Sequence, residues 1–431
     1  MTDRLKLASA ATFRSLHTRN FRLFFLGQLV SQAGTWMQSV AIIWVVLELT
    51  DNGLALGLVT AAQFLPLLLI GAWTGLVADR VDRYRLLVAC QLAFTALAVA
   101  FSALTLTGSQ TVLSMYGLSL VFGLITAFDN PTRRVLVSEM VEPRDLPNAV
   151  GLNSAMMTGS RVFGPALAGA LIAGPGAAWC FVANAVSYVA VIGALLRMDR
   201  SAFHLGPRVA RAKGQVRSGL RYVWAHPTLR ASVVLIAVVG LAAFNFQVTL
   251  ALLAEQTFAG AAGTYTLLFS VMSAGSMLGG LAVARREAVD LPVLAKAAAG
   301  LAVSMAALAL APTLWLAVAF ALPVGFTSVY LISGSNAVAQ LQADPRMRGR
   351  VLALFAMLFL GSTPIGGPIV GWVSDVTNPR VAVGVGAVAT ALAAVWTVRY
   401  IRRTGADPVA AAAAAGAGAD AAASDESPVA A

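Results

Sequence analysis

Two ionisable residues stand inside long apolar runs: Asp129 in LITAFDNPTRR and Arg161 in MMTGSRVFGP. Charge in hydrocarbon is costly, so each is a functional candidate by default. Asp129 falls late in one apolar segment and Arg161 well inside the next. If those segments are antiparallel neighbours, the two side chains can meet. A carboxylate beside an arginine can release and rebind a proton as access to it alternates. The same pair can equally be a fixed bridge between helices, or Asp129 can reach the aqueous interface. A second tier is polar and aromatic. Gln28, Gln32 and Trp36 are spaced i, i+4, i+8 and share one helix face. Asn245, Phe246 and Gln247 sit together in LAAFNFQVTL. Such side chains can line a substrate cavity, although amides also hydrogen-bond between helices.

Other chemistries lack their residues. His17, His204 and His226 are far apart, and Cys90 and Cys180 each stand alone in an apolar run, with no CxxC spacing. No metal site is expected. There is no GxxxxGK[ST] loop to bind ATP and no cluster of His, Asp and Glu for an enzyme.

The elements that position these residues follow from composition. The chain has 431 residues, 58% hydrophobic and 11% charged, with a mean hydropathy of +0.79. Soluble domains run at about 45–50% apolar and about 25% charged, so lipid must cover part of this surface. The formal charge of +11 does not imply nucleic acid, because the arginines form no aromatic-interleaved basic face. A membrane helix needs about 20 apolar residues. Twelve candidate spans appear, near 21–47, 54–77, 86–107, 111–131, 147–173 and 177–196, then 230–253, 263–284, 290–311, 313–338, 350–373 and 381–400. The first twenty residues hold no signal-peptide core, so the first span is expected to stay. With the N-terminus inside, every Lys and Arg except Arg161 and Arg380 falls on the cytoplasmic side, as the positive-inside rule requires. Both termini are then cytoplasmic. The organisation is a 1–20 cytoplasmic N-terminus, a 21–196 six-helix bundle, a 197–229 central loop, a 230–403 six-helix bundle and a 404–431 Ala-rich tail expected to be disordered. In the central loop Val216, Leu220, Val223 and Trp224 make one apolar face on a basic helix. That helix either lies on the inner membrane surface or extends span seven inward.

The halves repeat. Gly75 to Arg80 aligns with Gly280 to Arg285, Pro143-Arg144 with Pro345-Arg346, and Gly164-Pro165 with Gly367-Pro368; Ala284 stands where the first copy has Asp79. Such repeats suit a transporter that rocks one half against the other.

The stretch GLVADRVDRYR at 75–85, lying after span two of a 6+6 pattern with a basic central loop, resembles the GxxxDRxGRR signature of the major facilitator superfamily. It supplies Gly75, Asp79, Arg80, Arg83 and Arg85, and departs with Asp82 where the pattern has Gly. FDNPTRRVLVSEMV, NAVGLNSAM and RGRVLALFAM look like the bacterial branch that includes the enterobactin exporter. Gly151, Ser160, Gly164, Pro165, Ala168 and Gly169 follow the Gx8Gx3GPx2GG antiporter motif, with Ser160 and Ala168 in place of glycines. The resemblance implies an all-α membrane protein of twelve transmembrane helices in two pseudo-symmetric bundles, spans one and seven facing a central cavity. It implies a monomer in the inner membrane that exports a drug-like, siderophore or other amphipathic small molecule. Protons would drive it, the gradient being the energy source, with no cofactor. Uptake or lipid flipping on the same fold, or a non-transporting sensor, are the alternatives. Asp79 is expected near the N-terminus of span eleven, with Arg80 and Arg83 pairing Glu139 or Glu142 to latch the halves together.

Overall fold

The computed structural model describes residues 13–204, 215–286, 289–345 and 347–405. Its regular elements among these residues are all helices. In the first half α1 is Arg19–Thr50, α2 Gly53–Arg80, α3 Arg83–Leu106, α4 Val112–Met140, α5 Leu146–Ala173 and α6 Ala178–Leu196. A short α7 (Gln215–Ala225) leads to α8 (Pro227–Ala242), α9 (Phe246–Leu252), α10 (Ala262–Ala284), α11 (Leu291–Leu310), α12 (Leu314–Gln342), α13 (Arg348–Val376) and α14 (Pro379–Thr404). The apolar runs supply the length, and polar residues at their borders set the ends. Asn52, Asp82, Thr111, Asp290, Thr313 and Asn378 each accept a hydrogen bond from a free amide in the first turn of the helix that follows. Proline opens α8, α11 and α14 near their first position, where its missing N–H costs nothing.

Eleven segments among the described residues are long and apolar enough to cross a membrane, α8, α9 and a following π turn counting as one. The 28-residue α5 is not among them; Asn153, Ser154, Thr158, Ser160 and Arg161 dilute its apolar run.

Packing repeats between the halves. α2 lies along α4 as α10 lies along α12, α3 along α6 as α11 along α14, and α1 contacts α5 and α6 as α8 contacts α13 and α14. Across the seam α2 packs on α13 and α5 on α10. Glycines permit that approach: a Cβ at Gly57 would lie 2.5 Å from the carbonyl oxygen of Gly367. At the end of the seam away from the arginine-rich loops, Asp375 of α13 accepts hydrogen bonds from the first amides of α2, Gly53 at 2.6 Å and Leu54 at 2.8 Å. That carboxylate caps a helix of the opposite half, so the molecule is closed at this end.

Two elements differ from the sequence expectation. α4 runs nine residues past the expected end at 131, to Met140. A helix can outlast the hydrocarbon, and its polar last turns lie among other helices. Arg133, expected in an inner loop, is therefore helical and buried. The seventh span is broken at Asn245, whose φ −101° and ψ 37° leave the helical region. Gly366 of α13 packs so closely there that a Cβ on it would lie 2.2 Å from the Leu241 carbonyl oxygen. Of the two placements the sequence left open for the central-loop helix, α7 is separate from α8, because His226 is extended and Pro227 starts a new helix. α7 docks on α13: Arg350 donates to the Ser218 hydroxyl at 3.0 Å. Val223 is buried, while Leu220 and Trp224 stay exposed. The side chain of Val216 lies outside the described set, as do 1–12, 205–214 and the tail from 406.

Candidate functional site

The Asp129 carboxylate is 3% exposed inside the first bundle. Arg133, one turn further along α4, pairs with it at 2.9 Å, and Gln91 of α3 donates to its other oxygen at 2.9 Å. Arg133 also donates to Gln28 of α1 at 3.1 Å and to Asn130 at 3.0 Å. Gln32 donates to the same Gln28 oxygen at 3.1 Å. The result is one buried polar chain linking α1, α3 and α4. Buried charges persist when paired and hydrogen-bonded in this way.

The expected contact of Asp129 with Arg161 does not form. Residues i and i+4 share a helix face, so Arg133 reaches Asp129 without crossing between helices. Arg161 instead lies over the Trp36 ring, 5.1 Å from its centroid. Trp36 in turn meets Phe269 of α10, ring centroids 6.3 Å apart. This stack therefore bridges the two halves at the seam. Arg161 has no acidic or hydrogen-bonding partner among the described residues. Its side chain is not enclosed by its neighbours and meets open space. Ser154, Thr158 and Arg161 share that face of α5, while Phe163 and Leu167 point out toward lipid.

The glycines around Arg161 are contact points. At Gly164 a Cβ would sit 2.5 Å from Trp36 Cβ, and at Gly169 it would strike Thr266 of α10. Pro165 and Ala168 are buried beside them, and the Ser160 hydroxyl bonds back to Met156. Gly151 has open space around it. Small residues allowing close helix approach explain these positions.

In the second half, Asn245 sits at the helix break. Its Nδ2 donates to the Leu241 carbonyl at 2.9 Å, and its Oδ1 is buried with no partner among the described residues. Phe246 is buried edge-on to Phe244 at 5.7 Å, and Gln247 is half-buried. Discontinuous membrane helices form the ligand sites of many secondary transporters.

The expected pairing of Arg83 with Glu139 forms, but within one half, and the contact expected of Asp79 with α13 falls outside the described residues. Arg83 pairs with Glu139, which ties α3 to α4 within one half. Glu142 pairs with Arg144 at 2.9 Å, and Arg80 is exposed. α4 is long enough to present Glu139 to its own neighbour before it can meet the other half. The Asp79 side chain lies outside the described set, while Gly75 is buried within α2. Asp82, the departure from the signature, caps α3 by accepting from the Arg85 amide at 3.0 Å and pairs with Arg200 at 2.5 Å. Burial raises its pKa, but the Arg85 amide and the Arg200 guanidinium outweigh this and hold it below the ordinary value.

Sequence reasoning missed Arg133, Gln91 and Asp375. The i, i+4 spacing of Asp129 and Arg133 was the available signal for the first. The other two depend on tertiary placement alone.

Residues 10–416 match the family described as transmembrane secretion effector. The chain is 26% identical to the multidrug efflux pump Tap of Mycolicibacterium fortuitum, over 82% of this chain and 88% of that one. It is 28% identical to the staphyloferrin A transporter of Staphylococcus aureus and 25% identical to macrolide efflux protein A of Streptococcus pyogenes. It spans only 42% of the length of each. A bacterial homolog of the human lysosomal transporter Spinster, inward-facing and occupied, superposes with a TM-score of 0.71 at 14% identity, over 89% of this chain and 97% of that one. An inward-facing bacterial homologue of the iron transporter ferroportin gives 0.65 at 15%, over 89% and 98%. With the fold shared and nearly the whole length matched, this chain belongs to the transmembrane secretion effector family of the major facilitator superfamily.

Proposed function

We propose that the protein is a secondary active exporter of the cytoplasmic membrane, expelling an amphipathic small molecule that bears an anionic group. The carrying observation is Arg161, a cation without a protein counter-charge, held on Trp36 where the two halves meet. A cation left open in a low-dielectric wall favours a ligand that brings the missing charge. The Trp36 and Phe269 rings suit an apolar or aromatic body. Relatives named for multidrug efflux and macrolide efflux support the outward direction, and these together with a staphyloferrin A transporter support a small-molecule substrate.

In this reading the chain crosses twelve times, α5 being the crossing its polar cavity face makes less apolar, and both termini are cytoplasmic. The closed end held by Asp375 is then periplasmic, and the conformation is inward-facing, ready to load from the cytoplasm. Protons drive the cycle through Asp129, whose charge Arg133 and Gln91 stabilise until access changes. The glycine motif of α5 gives that helix the close packing on which the rocking turns. One chain suffices, since both halves of the site lie in it.

The test is transport in inverted vesicles against a panel of anionic, neutral and cationic amphipathic compounds, with and without a proton gradient. Accumulation is expected for anionic members and only with the gradient. Arg161→Gln is expected to lower their transport about tenfold or more, the scale of one lost charge-assisted hydrogen bond, while neutral compounds change little. Export that ignores the gradient overturns the antiport, and equal loss across the panel removes Arg161 as a substrate contact.

A further inference from the structure

A second cavity, of about 430 Å³, lies away from the seam, between α10, α11 and α12 at the arginine-rich end. Ligand pockets are commonly about 300–1,000 Å³. α12 forms its floor with Phe326, Thr327 and Tyr330, and α10 and α11, which barely touch each other, form its walls. Three observations give it chemistry. Arg286 and Lys296, from opposite walls, are both exposed and both line it. The Arg286 guanidinium sits 5.7 Å from the Tyr330 ring centroid. The Tyr330 hydroxyl is buried without a partner among the described residues, in a side chain only 7% exposed.

The cavity opens toward lipid. Lys296, Val303 and Leu310 recur at i, i+7, i+14 on α11, and the last two are 70% and 77% exposed. That stripe is the bilayer face of α11, and Lys296 stands on it roughly 8 Å from the helix start. A lysine on a bilayer face is costly unless its ammonium reaches headgroup level or meets an anion. Asp290, the nearest described carboxylate in sequence, is engaged in capping the Val293 amide at 2.9 Å. The repeat sharpens the point: continuing the alignment of the halves by one residue puts Val81 opposite Arg286. The cation is thus a feature of this half alone.

We propose that this groove binds one anionic phospholipid. Arg286, Lys296 and the Tyr330 hydroxyl hold its phosphate, and the first acyl carbons lie on Val293, Ala297 and Phe326. The site depends on membrane insertion alone and not on what the protein transports.

The full chain in detergent, titrated with phosphatidylglycerol and read by native mass spectrometry, tests it. One tightly held lipid is expected, with phosphatidylcholine bound more weakly. Each basic side chain near an anionic surface is worth a factor of about five, so Arg286→Gln/Lys296→Gln is expected to weaken binding about 25-fold. Lys296→Arg is expected to retain it. Ala297→Trp fills the groove while keeping both cations and is expected to lose the lipid. The proposal fails if the double variant or Ala297→Trp binds as the native chain does. It fails also if phosphatidylcholine binds equally well, or if millimolar inorganic phosphate displaces the lipid completely, which would make this a site for the free anion.

Discussion

At the scale of single residues, the decisive fact is that the two ionic groups within the apolar segments have different company. Asp129 is compensated by two partners, Arg133 and Gln91, whereas Arg161 has only an aromatic face. Removing one partner of a buried pair typically costs about 3–5 kcal/mol. Asp129→Asn is therefore expected to lower the unfolding temperature as well as abolish gradient-driven export, because Arg133 keeps its charge. Asp129→Asn/Arg133→Gln is expected to recover most of the stability and none of the coupling. Thermal unfolding by size-exclusion fluorescence, alongside vesicle transport, separates the two effects. Full gradient-driven export by the single variant would end the coupling role. Asp82 makes a prediction of the opposite kind, structural only. Its folded pKa lies below the unfolded one, so its contribution is complete above the ordinary carboxylate range and fades as pH falls through the lowered value. Asp82→Asn is expected to destabilise the protein at pH 7 and to make no difference once acid has protonated the native carboxyl. A deficit that persists unchanged at low pH would point to lost packing instead.

Among the elements, those with a strong local signal were legible in sequence. The ends of α2, α3 and α14 fall within a few residues of expectation because Asn52, Asp82 and Asn378 cap them locally. The extent of α4 and the break at Asn245 were not legible, since both depend on neighbours: helices that accept its polar last turns, and a close-packed glycine of α13. The pairing of Asp129 failed for a similar reason. Sequence placed two charges in adjacent spans but could not say which faces they occupied. The cap that Asp375 lends to α2 is a link between elements of different halves. Losing a helix cap costs about 0.5–2 kcal/mol, enough to change a two-state ratio by roughly fivefold at 1 kcal/mol. Asp375→Ala is expected to shift the equilibrium toward opening at that end. Electron–electron distances between spin labels near Asn52 and Thr377 would report a larger population of the long distance. An unchanged distribution would reduce Asp375 to a local cap.

For the molecule as a whole, the repeated packing matters more than any one contact. Each half reproduces the other's internal neighbours, and the seam holds the exchanged pair α2 with α13 and α5 with α10. Two rigid bundles joined this way can rock without repacking their cores, since each bundle keeps its own internal contacts. The closed end is built from glycine-to-backbone contact, which tolerates separation but not intrusion. A large side chain at Gly57 therefore acts on the equilibrium between states and not on the fold of either half. Gly57→Trp would drive a ring into Gly367 and Pro368, whose Cα is 2.5 Å from a Cβ at that site. The variant is expected to remain folded, to hold the end at Asp375 open and to lose transport while still binding substrate. A cysteine replacing Phe269 is then expected to react faster with a membrane-impermeant maleimide added from that side. Background is low because Cys90 and Cys180 are buried. If Gly57→Trp transports at the native rate, closure of this seam is not a step in the cycle, and the rocking account fails with it.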